Sequence, residues 1–195
     1  MNSIQSYNLS ATIAIILLVP VGLNEAIIAS ENIFVFLSKY HQSLLLASFV
    51  VLFKLKSHLD DHDHFAEPVG DKIVSRFIGL VLGTLSWVVL GLGAVDLTNA
   101  TRAAQFIAAS FLVSTVWIVV HMIEMFVGKN ASEILPSLIR RNHWIFLNIL
   151  YSICLIGFSL SFALPPMFYL LALIAALSLD IYLSESFKGV REKRR

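Results

Sequence analysis

The residue types that hold metal ions gather in two stretches of this chain: His58, Asp61, His62 and His64 between Ser57 and Phe65, and His121 and Glu124 farther along. Imidazole and carboxylate are the ligands chosen by Zn, Mn, Fe and Ni, and a pair of histidines four apart on a helix can chelate one ion. If a helix runs through the first stretch, His58, Asp61 and His62 share a face. The competing account is an acidic, histidine-rich link that simply stays solvated. Ser114, Trp117, His121 and Glu124 fall at steps of three and four, a polar stripe down one side of a helix. A hydrogen bond to a neighbouring helix accounts for His121 equally well. A divalent metal ion is the cofactor or cargo to which this composition points.

A second set of residues reads as a transport path. Asn24, Glu25, Lys39 and Asp180 all lie inside apolar stretches, where an ionisable side chain costs about 2.5 to 3.5 kcal/mol on insertion scales and so carries a functional expectation. Glu25 and Lys39 stand at similar depth on either side of a polar break and could pair across a hairpin, the blander alternative being an interfacial ion pair with Lys39 reaching outward. Asp180 is expected at the opposite, inner level, with the metal-type residues. Asn148, Tyr151 and Ser152 could line a polar path or bond between helices. His41 and His143 sit near helix ends and read as interfacial.

No enzyme signature accompanies these residues. The single His58-x3-His62-x-His64 lacks the further histidine clusters of a membrane di-iron oxygenase, and no Gly-x-Ser-x-Gly elbow, His-Glu-x-x-His zinc motif or glycine-rich phosphate cradle occurs. The lone Cys154 lies in an apolar stretch and excludes an intramolecular disulfide.

The elements that must position these groups follow from composition. Of 195 residues, 57% are hydrophobic and 14% charged, and the mean hydropathy is +0.80, far to the apolar side of soluble domains. The expected fold class is an all-α integral membrane protein, one polytopic domain over residues 1–195. A bilayer core of roughly 30 Å needs about 20 apolar residues per helix, which predicts about six spans near 9–29, 33–53, 73–95, 104–127, 144–163 and 167–183. The apolar run Leu9 to Val19 has no basic residue before it and reads as a membrane helix, not a cleaved leader. Pro165 and Pro166 make the last two helices a tight hairpin. All of the 14 basic residues except Lys39 and Arg102 flank the links between helices two and three and between four and five, or lie in the tail. Positive charge stays on the cytoplasmic side, so both termini are expected there, in a cytoplasmic (inner) membrane. Ile134, Leu135, Leu138 and Ile139, capped by Asn130 and followed by Arg140 and Arg141, read as a short helix lying on the inner leaflet. The net charge of +1 gives no field for nucleic acid.

Packing signals complete the sequence reading. Gly79 and Gly83 stand four apart in helix three, with Ser86 and Gly93 continuing that side, a small-residue pattern that lets helices approach closely in lipid. Besides the bilayer, the expected partner is therefore a second copy or another membrane protein meeting at Gly79 and Gly83. Pro20 and Gly22 predict a kink in helix one. Function narrows to three classes: a small transporter or channel for a metal ion or proton-coupled substrate, a non-catalytic membrane subunit or sensor, and, with least support, a membrane-embedded lipid enzyme.

Overall fold

A computed structural model describes the backbone of residues 3–65, 73–126, 131–161 and 163–192, and the side chains of 9–57, 81–120, 122–123, 143–161 and 163–182. Among the described residues there are helices and no strands: α1 (Ser3–Ile28), α2 (Ile33–Phe65), α3 (Ile73–Val95), α4 (Ala100–Phe126), α5 (Ala131–Leu160) and α6 (Pro166–Glu192). Four of them are long and apolar enough to cross a membrane, over Leu9–Ile28, Ile33–Ser57, Ala100–Val120 and His143–Leu160. The described apolar parts of the other two, Val81–Val95 and Pro166–Tyr182, are shorter. The outward surface is apolar, with Phe34 78% and Leu17 63% exposed, as suits a protein whose solvent is lipid.

Three helix starts have a local cause among the described residues. The Asn32 side chain accepts from the main-chain N–H groups of Phe34 and Val35, both at 3.0 Å, and so caps α2. Asn99 caps α4 in the same way through the N–H of Arg102 at 3.1 Å. Arg102 also clamps the α3–α4 turn by a two-pronged ion pair with Asp96, through Nε to Oδ2 and Nη2 to Oδ1. Between α5 and α6 the chain reverses through Ser161 and Ala163, both at positive φ (47° and 59°). Pro166 then occupies the first helical position, where its missing N–H has no helical partner to lose.

The helices close into a ring. α1 packs on α2 and α3, α2 on α6, α6 on α5, α5 on α4 and α4 on α3, and α2 also touches α4 across the middle. Small residues permit the tightest contacts: Ala103, Ala104 and Ala108 of α4 are buried together with Ala94 of α3. Gly22 sits so close to α3 that a Cβ there would overlap the Ala94 carbonyl oxygen and come within 2.9 Å of the Val95 carbonyl. The expected kink in helix one is absent as a break, for α1 runs unbroken through Pro20. The non-helical backbone lies instead in α2, at Tyr40 (φ −113°, ψ 21°).

Three helices overrun their expected ends. α2 continues to Phe65 rather than stopping near 53, α6 continues to Glu192, and α5 begins at Ala131, so the expected inner-leaflet helix and the fifth span form one continuous helix. At 1.5 Å per residue α2 is about 50 Å long, well over the roughly 30 Å hydrocarbon thickness.

Gly83 contrasts with Gly22, since a Cβ at Gly83 would meet nothing within 4 Å. Replacing Gly22 by Ala is expected to destabilise the protein by about 1 to 3 kcal/mol through overpacking, and Gly83→Ala to be tolerated. Unfolding in mixed micelles, comparing each variant with the parent, is the measurement. Equal loss in both would contradict the packing described.

Candidate functional site

Among the described residues, the densest convergence of polar groups centres on Asp180 of α6. Its residue is 2% exposed. Oδ1 accepts from Lys56 Nζ of α2 at 2.6 Å and lies 3.3 Å from His143 Nε2 of α5. Oδ2 accepts from the Tyr151 hydroxyl of α5 at 3.1 Å. One carboxylate thus joins three helices, and two of its donors come from the same helix two turns apart.

Apolar spacing carries each of these groups inward. Phe49, Phe53 and Lys56 follow steps of four and three along α2, so the face that buries the two rings also turns Lys56 inward. His143, Leu147 and Tyr151 fall at four-residue steps on α5. Leu170, Leu173, Leu177 and Asp180 share a face of α6, with the three leucines at most 2% exposed. The aromatic rings then fix Tyr151 from behind. Phe49, Phe53 and Phe111 surround it at centroid distances of 5.4, 5.9 and 5.1 Å, and Phe53 meets Phe111 edge-on at 4.7 Å. Edge-to-face packing of this kind holds a ring in one orientation, which keeps the phenol aimed at Asp180.

A second buried cation lies on α2, two residues before Lys56. Lys54, 2% exposed, lies with Nζ 3.7 Å from the centroid of the Trp87 ring on α3, a cation–π contact strengthened by removal from water. Farther from Asp180, a hydroxyl seam joins α3 and α4. Ser86 donates to the main-chain oxygen of Ser110 at 3.0 Å and is 2.7 Å from Ser114 Oγ. Ser152 of α5 donates to the main-chain oxygen of Ala108 at 3.2 Å and of Asn148 at 2.9 Å. Such bonds tie helices together where water is scarce.

Of the residues nominated from sequence, Asp180 lies at this centre. Asn24, Glu25 and Lys39 are exposed, and Lys39 lies over its neighbour Tyr40, 5.2 Å from the ring centroid. No ion pair joins Glu25 to Lys39 among the described residues. Seventeen helical residues separate Lys39 from Lys56, roughly 25 Å of rise, so Glu25 and Lys39 are remote from Asp180. Ser114 of the helix-four stripe faces Ser86. The side chains of His58, Asp61, His62, His64, His121 and Glu124 lie outside the described residues, and so does Gly79. Among the described residues no group of three or more His, Cys, Asp or Glu side chains could hold a metal ion. Lys56 and His143 are the members that sequence reasoning missed: one was counted as a flanking charge, the other as interfacial. The signal was present in the apolar spacing, since each stands in register with buried residues of its helix.

Comparison of the chain with family models, curated proteins and solved structures finds no match. The chemistry of the site has to be read from its own groups. A carboxylate held by an ammonium, an imidazole and a phenol is a set of exchangeable protons around one acceptor. It is unlike a metal centre, because the Lys56 ammonium occupies the oxygen a cation would take.

Breaking one side of a buried pair leaves a charge without its partner, which costs about 3 to 5 kcal/mol, whereas replacing both by apolar side chains is often neutral or stabilising. Lys56→Met alone is therefore expected to destabilise by about that amount. The double variant Lys56→Met, Asp180→Leu is expected to recover most of the loss. Additive losses in the double variant, measured by unfolding in micelles, would show that the two do not act as a pair.

Proposed function

We propose that this chain is a six-span carrier of a cytoplasmic (inner) membrane, with both termini cytoplasmic, that couples movement of a small solute to proton binding at Asp180. The single observation that carries this reading is the buried Asp180 carboxylate with Lys56, His143 and Tyr151 on its two oxygens. Ionisable groups are expensive at this depth and mark proton or ion pathways in membrane bundles. In the ionised state Asp180 holds α2 to α6 through Lys56. A proton on the carboxylate removes that attraction. The inner arm of α2, beyond the non-helical residue Tyr40, is then released. Six spans and inward termini are supported by the apolar parts of α3 and α6 beside the four longer helices, and by the side on which the basic residues gather.

A divalent metal is the first cargo to test. The continuation of α2 to Phe65 supports it, because residues 58, 61 and 62 then share a helical face, and neutral histidines four apart suit such an ion. Proteoliposomes loaded with a pH-sensitive dye, given a panel of divalent cations, organic cations and carboxylates, are the assay. One member of the panel is expected to drive proton movement, lost in Asp180→Asn while the variant still inserts and folds. Proton movement unchanged in Asp180→Asn would end this reading.

A second reading, a subunit or sensor acting through helix contacts, is favoured by the open space at Gly83, a small residue that serves no close approach among the described residues. Gly83→Leu is expected to dissociate a complex isolated in mild detergent if that face carries a partner. A parent protein that is monomeric in light-scattering measurements, and is unaffected by the change, removes this alternative.

A further inference from the structure

Asn148 stands on α5 between the two polar systems described above, and its residue is 8% exposed. Its main-chain oxygen accepts from Ser152 Oγ. Among the described residues, no group hydrogen-bonds to its carboxamide. A buried amide left unpaired costs about 1 to 3 kcal/mol, and a leucine would fill the same position without that cost. One turn on, Ser152 donates to the Ala108 carbonyl of α4, and residues four apart share a helical face, so Asn148 is turned toward α4 as well. Three residues on is Tyr151, whose ring packs on Phe111 of α4 and whose hydroxyl is bound to Asp180.

We propose that the Asn148 carboxamide, at the α4–α5 contact beside Tyr151, is a binding site for an oxygen that both donates and accepts hydrogen bonds: a water, or the hydroxyl of a small solute. A carboxamide offers one acceptor and two donors with no net charge. A single hydroxyl-type oxygen can use both, donating to the carbonyl and accepting from the amide N–H. Buried waters occur about once per 27 residues and typically join groups that would otherwise be unsatisfied, and this one would extend the exchangeable protons at Asp180 toward the Ser86–Ser110–Ser114 seam. That last role rests on the proton-coupled reading above. The binding site does not.

Radiolytic labelling of the full chain in nanodiscs tests the site without any transport assay, because a trapped oxygen-bearing molecule yields radicals that oxidise the side chains beside it. Tyr151 and Phe111, both 1% exposed, are expected to be labelled from this position. Phe158, equally shielded at 3% exposure but set among apolar residues, is expected to stay unlabelled. In Asn148→Leu the labelling of Tyr151 and Phe111 should be lost, with a melting temperature at or above that of the parent. With labelling normalised to the exposed Tyr182, 70% exposed, in the same sample to allow for radical scavenging, a Tyr151 signal that excess glycerol leaves unchanged identifies water as the occupant, and one that glycerol suppresses further identifies a site open to a solute hydroxyl. An unlabelled Tyr151 in the parent, or the same labelling in Asn148→Leu, overturns the proposal. So does a leucine variant that fails to fold, since the carboxamide would then be paired within the chain. Labelling that holds while no solute drives proton movement would separate this site from the transport reading.

Discussion

Holding the Asp180 carboxylate out of water is the constraint around which this bundle is arranged. An ionised group at this depth is tolerable only with donors on both oxygens, and here they are Lys56, His143 and Tyr151 from two other helices. This requirement fixes the azimuth of α2, α5 and α6 together, because a rotation of any one by a residue would carry its donor away from the acid. Hydrophobic association cannot set that register in lipid, where one apolar face is as good as another. The polar contacts therefore specify the packing of these helices, and the alanine and glycine contacts set how closely the others approach.

The aromatic group behind Tyr151 makes the arrangement rigid. Phe49 and Phe53 come from the same face of α2 that ends in Lys56, and both meet Phe111 of α4. The contact of α2 with α4 across the ring thus lies one to two turns from the ion pair. Movement of the Lys56 end of α2 has to disturb the ring packing and the ion pair together.

Much of the fold was legible from hydropathy alone. The third helix was expected at 73–95 and is found there. The far end of α2, the start of α5 and the end of α6 were misjudged for a physical reason. Hydropathy measures how much of a helix prefers lipid, and it falls silent where α2, α5 and α6 continue as polar helix past the span. The same blindness hid half of the site. Lys56 and His143 were assigned to the boundary because charge near a helix end normally seeks water, yet their spacing from Phe53 and Leu147 turns them inward. Asp180 was found because nothing but function or a partner explains an acid in register with Leu173 and Leu177. No periodicity could identify the partner helix, since contact between α2 and α6 is a property of the ring and not of either sequence.

The distribution of polarity along the bundle bears on how such a site would work. Beyond the level of Ser86 and Ser152, toward the Asp96–Arg102 turn, the interior is closed by Ala94, Leu97, Ala103, Ala104 and Ile107, all fully buried, with Leu155, Phe158 and Leu170 beside them. Among the described residues the buried side chains at this level are mostly apolar and small, Ser43 of α2 being a polar exception at 3% exposure. Access from that end would have to come from separating helices, at the α1–α3 crossing or the α3–α4 contact, where glycine and alanine hold the backbones together without interlocking. Contacts made by small flat surfaces can slide or part without passing through rotamer clashes. On the proposed carrier reading, the half around the α3–α4 turn is where helices would part, and the half that carries Asp180 is where register would be held.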